Sequence, residues 1–183
     1  MAERRDVLKS KMSIKTAFLD LRKEKDIRKI TVTEIIDCAN ISKGTFYSHY
    51  TDIYDLQEQI ENEIIADIFS GIENENITAI IDESFKWVLK IVAAFYNQRE
   101  SISCLMGKSN NYNFFFKCES ELLRLLRYSD NYFDNEAKRI IIDNCIASMI
   151  VRNCYNVVKD ENGGIDLNGT ASIISEFIYK MLH

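Results

Sequence analysis

The sequence predicts an all-α protein, with an N-terminal three-helix helix-turn-helix domain followed by a helical-bundle domain. Three observations carry this. The 183 residues hold no proline and only six glycines, although average usage near ~5% would supply several prolines. Long segments therefore run without a breaker, and their apolar residues recur at helical spacing. Residues 30–56, ITVTEIIDCANISKGTFYSHYTDIYDL, are punctuated as two short helices, a tight turn and the start of a third helix.

The first helix is expected over residues 6–24, where Ile14, Ala17, Phe18 and Leu21 form one stripe. Arg4, Arg5, Lys9, Lys11 and Lys15 precede or flank it. They read equally as a basic arm beside a nucleic-acid backbone or as a solvated face. Thr31 and Glu34 have the three-residue separation of a capping box, so a second helix begins there. Asn40 is the residue, after Gly, best suited to the left-handed position that ends it. Ile41 can plug the core between the helices. Ser42 caps a third helix over Lys43–Tyr50, and Thr51 or Asp52 caps a fourth. A turn of about three or four residues between the second and third helices is helix-turn-helix geometry.

The third helix carries unusual surface chemistry. Lys43, Thr45, Tyr47, Ser48 and His49 gather at its start and outer side, while Phe46 and Tyr50 share inward spacing. Hydroxyls, a cation and backbone N–H groups suit phosphate oxygens. Gly44 leaves the first turn without a side chain, so a bulky backbone can approach. With Thr33 and Ser42, these residues make the candidate DNA-binding set: Thr33, Ser42, Lys43, Gly44, Thr45, Tyr47, Ser48 and His49.

At this point the chain resembles the TetR family of bacterial transcriptional regulators. SKGTFYSHY, with the Thr-Val-x-x-Ile-type helix before it and an Asp and a Leu after it, looks like that family's DNA-binding signature. The likeness covers roughly residues 10–60. Two positions depart from the pattern: Asn40 stands where Gly is usual, and Ile53 where a Lys often opens the fourth helix. The resemblance implies a homodimer on a palindromic operator and a body that holds a small apolar effector. It says little about residues 70–183.

A connecting helix over 52–70, with Leu56, Ile60, Glu63, Ile64 and Phe69 on or beside its buried side, leads away from the reader. The head is thus residues 1–52 with this connector, and the body is 71–183. In the body, helices are expected over 78–98, 114–128, 136–159 and 168–182. Residues 97–103 read as a break before a short helix through Cys104 and Met106, and 108–113 and 129–135 as loops. The last helix repeats apolar residues as adjacent pairs every four positions, wider than one neighbour needs. That excess suits a two-fold dimer, with Ile150, Val157, Ile174, Phe177, Ile178 and Met181 as its candidate residues. Half-sites on the DNA would then lie about 34–36 Å apart.

Aromatic residues crowd the body. Trp87, Phe95, Tyr112, Phe115, Tyr128 and Tyr155 are the candidate lining of an effector pocket, although aromatics at helical spacing equally build plain core. Phe114, Phe115 and Phe116 are consecutive and cannot all face one core.

The formal net charge is −5, but it is unevenly spread. Residues 1–51 hold eleven Lys/Arg against seven Asp/Glu, a balance of +4, and residues 52–183 hold twelve against twenty-one, a balance of −9. A basic head on an acidic body is what a chain needs when one end alone meets phosphate. No apolar run approaches the ~20 residues of a membrane span, and MAERRDVLK is no signal peptide, so a cytoplasmic location and no membrane partner are expected. Five cysteines without a C-x-x-C pair read as reduced and mostly buried. His49 and His183 are the only histidines and neither neighbours a cysteine, so no metal site is expected. No phosphate-cradling glycine loop or G-x-S-x-G elbow is present, which points away from an enzyme and asks for no cofactor.

The reading that unites these features is a ligand-responsive repressor: a homodimer on double-stranded operator DNA, released by an unknown small-molecule effector. Two others compete with it. One is a regulator-like co-activator that works through a partner protein, and the other is a small-molecule-binding helical domain with a vestigial head.

Overall fold

The computed structural model describes residues 2–72, 83–106, 112–127, 135–160 and 163–182. Among them every regular element is helical. The helices are α1 Ala2–Glu24, α2 Val32–Ala39, α3 Lys43–Tyr47, α4 Ile53–Phe69, α5 Ser84–Asn97, α6 Arg99–Met106, α7 Asn113–Arg127, α8 Glu136–Lys159 and α9 Leu167–Leu182, with a single 3-10 turn at Ile27–Lys29. No helix of the described residues is long and apolar enough to cross a membrane. The chain divides into two compact units, Met1–Glu63 with Ser101–Asn111, and Ile64–Glu100 with Tyr112–His183.

In the first unit, local chemistry sets the helix ends. Thr31 Oγ1 accepts from the Glu34 amide at 3.2 Å while Glu34 Oε2 accepts from the Thr31 amide at 2.8 Å, a complete capping box. Asn40 ends α2 in the left-handed region, φ 51 and ψ 53. Ser42 Oγ accepts from the Thr45 amide at 3.0 Å and starts α3. Asp52 Oδ1 accepts from the Tyr54 and Asp55 amides and starts α4. Ile14, Phe18, Ile35, Phe46, Tyr50, Leu56 and Ile60 are the buried centre on which these helices close. Leu21 and Ile41 are only half-buried.

Three features differ from the sequence reading of this stretch, and Arg22 adds one that it did not address. The helix expected to reach Tyr50 stops at Tyr47, because Ser48 caps it and the amides of His49 and Tyr50 both turn back to the Phe46 carbonyl. Glu63, placed beside the buried side of α4, is exposed and pairs with Lys15 at 2.9 Å. Glu61 is the buried carboxylate instead. Arg22 is buried as well, and its guanidinium donates to the carbonyls of Lys25 at 3.0 Å and Leu105 at 2.5 Å. The break expected over 97–103 shrinks to Gln98, since α6 begins at Arg99 and buries Ile102, Cys104, Leu105 and Met106. A buried arginine needs several acceptors, and here the carbonyl at the end of α6 supplies one.

In the second unit, α5 buries Trp87, Val88, Ile91, Val92 and Phe95 along one side and is covered by α8 and α9, while α7 packs on α8. Asn135 caps α8, its Oδ1 accepting from the Lys138 amide at 3.1 Å. In α9 the adjacent apolar pairs split: Ile174 and Ile178 are buried, and Ile173 and Phe177 are 60% and 56% exposed. Ile150, Val157, Ile174 and Ile178, candidate dimer residues, are therefore core of their own chain. Phe177 is exposed and Met181 half-buried. None of the five cysteines is in a disulfide; Cys104, Cys118 and Cys154 are buried, and Cys38 and Cys145 exposed.

Candidate nucleic-acid interface

The candidate residues of the reader converge on one stretch, α3 with its flanks. Phe46 and Tyr50 anchor it from below, their ring centroids 5.8 Å apart. Lys43, Gly44, Tyr47 and Ser48 face solvent, as do Ser42 before them and Thr33 on α2. Tyr47 meets Phe46 edge-on at 5.4 Å, which holds its phenol outward. Lys43 Nζ lies 6.0 Å from the Tyr47 ring centroid, a loose cation–π contact that keeps the two side chains on one side.

The hydroxyls are less available than the sequence suggests. Ser42 and Thr45 hydrogen-bond to each other at 2.8 Å on top of the cap, and Ser48 Oγ donates to the Thr45 carbonyl at 2.7 Å. Each oxygen keeps a lone pair, but their first duty is to the helix ends. Lys43 and Tyr47 are thus the most outward-directed groups of the set.

Gly44 is informative in a different way. A Cβ built there would meet nothing nearer than Ser42 Oγ at 3.7 Å, an ordinary contact. Nothing inside the protein demands glycine at this position. The room it leaves lies on the exposed side.

His49 is turned toward α1. Its Nε2 lies 2.8 Å from Ser10 Oγ, and Ser10 spends its own proton on the Val7 carbonyl at 2.9 Å. Nε2 and the Ser10 hydroxyl thus share one hydrogen bond. Burial, with the charge of Lys11 behind it, lowers the imidazole pKa, which favours the neutral ring. The ring braces the end of α3 against α1 rather than standing out with Lys43 and Tyr47. Of the basic residues of α1, Lys15 is tied to Glu63, whereas Lys9 is exposed.

The second unit offers a separate cavity, a cleft of about 560 Å³ on α7 and α8. Tyr112, Phe115 and Tyr155, three of the candidate pocket residues, line it. Phe115 is central: it lies 5.2 Å edge-on from Tyr155 and 6.3 Å in parallel stacking from Phe95. Trp87 and Phe95 are 2% and 0% exposed and build the core behind. Tyr128 lies outside the described residues. Of the three consecutive phenylalanines, Phe114 and Phe115 are buried, and Phe116 is 67% exposed on the cleft wall. Glu119, Ser148 and Arg152 also line the cleft. The sequence reading missed these polar members, whose one signal is the i, i+4 spacing of Ser148 and Arg152 on α8.

Comparison with known proteins agrees with this architecture. No family model matches the chain. One curated relative, the uncharacterized HTH-type transcriptional regulator YxbF of Bacillus subtilis, is 26% identical over 109 residues, which span 56% of this chain and only 28% of that protein. A TetR transcriptional regulator from Streptococcus agalactiae superposes with a TM-score of 0.64 at 20% identity, over 97% of this chain and 98% of that one. The dihydroxyacetone kinase operon activator DhaS gives 0.62 at 18% identity, over 94% and 96%. A transcriptional regulator from Aquifex aeolicus gives 0.60 at 18%, over 94% and 99%. The chain has the fold of a TetR-family transcriptional regulator, a helix-turn-helix head with a helical body.

Proposed function

We propose that this protein is a sequence-specific DNA-binding transcriptional regulator that acts as a homodimer on a palindromic operator and represses until an effector enters its body. The observation that supports it most is the solvent-facing pair Lys43 and Tyr47 on a capped helix whose opposite side, Phe46 and Tyr50, is locked in the core. A reader needs that combination: groups free to meet phosphates and base edges, on a helix that does not move. Residues 1–52 with the connecting helix form the DNA-binding part, and residues 71–183 the effector and dimerisation part.

The dimer face in this reading is the exposed half of the apolar pairs, Ile173 and Phe177 on α9, with Ile141 on α8, 63% exposed. Large side chains exposed on long helices are what a two-fold four-helix contact would cover. The effector site is the α7–α8 cleft, within the size range of small-molecule sites, about 300–1,000 Å³. An effector released the DNA only if it prefers one of two states of the chain.

The test is a mobility-shift titration of the purified protein on DNA from upstream of its own gene. Two chains per site are expected, with specific binding weakened by at least about tenfold in Lys43→Ala and by more in Tyr47→Ala, each such contact being worth about 1–3 kcal/mol. Wild-type affinity in both variants would overturn the assignment of α3 as the reader.

A further inference from the structure

The α7–α8 cleft has two chemically different ends. At one, Tyr112 and Tyr155 stack with centroids 5.8 Å apart and rings inclined by 29°. Both phenols line the cleft, and each hydroxyl can donate to a ligand. The Arg152 guanidinium lies 5.6 Å from the Tyr155 centroid and lines the same cleft as Tyr112. A guanidinium beside an aromatic ring can still offer its N–H groups to a planar acceptor. This end donates.

The other end accepts. Glu119 follows Tyr112 by seven residues on α7, about 10 Å along the helix at 1.5 Å per residue. Its Oε1 accepts a hydrogen bond from the Ser148 hydroxyl, and a carboxylate with about four lone-pair sites has capacity left. Between the two ends the wall is apolar, with Phe115, Phe116 and Met149. A single negative charge placed near Glu119 is repelled there and drawn to Arg152, so the cleft also orients what it holds.

We infer that the cleft binds an aromatic carboxylate, with its acid group on Arg152 and the Tyr112–Tyr155 pair, its ring against Phe115 and Phe116, and a hydroxyl at its far end donated to Glu119. The inference rests on the cleft being the effector site of the proposed regulator. Binding is read by isothermal titration of the full chain with four probes: 3-(4-hydroxyphenyl)propionate, 3-phenylpropionate, the neutral 3-(4-hydroxyphenyl)propanol and the cation tyramine.

The expected order has the hydroxylated acid tightest. Arg152→Gln should weaken the acid by at least about tenfold, the scale of one charge-assisted pair, and leave the neutral alcohol unchanged. Glu119→Gln should narrow the gap between the hydroxylated and unhydroxylated acids. Equal affinity for acid and alcohol, or an acid affinity indifferent to Arg152→Gln, would overturn the ligand class. If the alcohol or tyramine then binds and Tyr155→Ala abolishes it, the cleft survives as a ligand site without that class. If no probe binds, class and cleft fail together. Both Arg152 and Glu119 lie outside the buried core, so circular dichroism identical to wild type is required of these variants before the comparison counts.

Discussion

Gly44 separates what the fold needs from what the function needs. A methyl group at this position meets only Ser42 Oγ at 3.7 Å, and alanine is the better helix former. Gly44→Ala should therefore fold with a stability within about 1 kcal/mol of wild type, yet bind operator DNA at least about tenfold more weakly, because the methyl fills the space a DNA backbone would occupy. Thermal melts and a mobility-shift titration on one preparation check both halves. A variant that binds DNA as well as wild type would assign Gly44 no part in the interface. At the same scale Arg22 shows where sequence reading stops. An arginine amid a basic run is ordinarily a solvated charge, and nothing local announces that it sits 1% exposed with the Lys25 and Leu105 carbonyls. Its acceptor is 83 residues away, and that distance is what hid it.

These caps were legible because capping is decided within four or five residues, although the end of α3 at Tyr47 was not. Thr31 with Glu34, Asn40, Ser42 and Asp52 occupy the positions their side chains predict. The faces of helices were legible only in part. Glu61 and Glu63 are chemically alike and stand about 200° apart around α4, at about 100° per residue; the packing alone decides that Glu61 goes inside. The adjacent pairs of α9 pose the same problem, and their resolution into a buried Ile174 and Ile178 and an exposed Ile173 and Phe177 needed the position of α5. The capping box makes a prediction about acid. Hydrogen bonds from Lys25 first, and then from the Thr31 amide and hydroxyl, hold Glu34 down to about 2 from its ordinary value of 4.5. A carboxylate whose folded pKa is depressed stabilises above its unfolded pKa and loses that contribution as pH falls through the folded one. The head should thus lose stability between about pH 4.5 and pH 2, and Glu34→Gln should flatten that limb. Urea melts at half-unit steps through this window report it. Parallel wild-type and variant curves would mean that the box does not couple to global folding.

For the whole molecule the charge split is the governing quantity. In the proposed regulator, a head at +4 and a body at −9 would repel nucleic acid on average and attract it at the head, which orients the encounter. That division was visible in the sequence, as was the all-helical architecture, because both are sums over many residues. The polar ends of the cleft were not: Glu119 and Arg152 lie 33 positions apart, and only the packing of α7 on α8 brings them to one cavity. The account as a whole depends on the exposed side of α3 being the surface that meets DNA. The most direct measurement is the affinity of the full chain for operator and for unrelated DNA across a salt series, wild type beside Lys43→Ala. Selective binding is expected, with log affinity falling linearly in log salt at a slope of about −0.9 per phosphate contacted and shallower by about one in the variant. Equal affinity for both DNAs, or an identical slope in the variant, would contradict it.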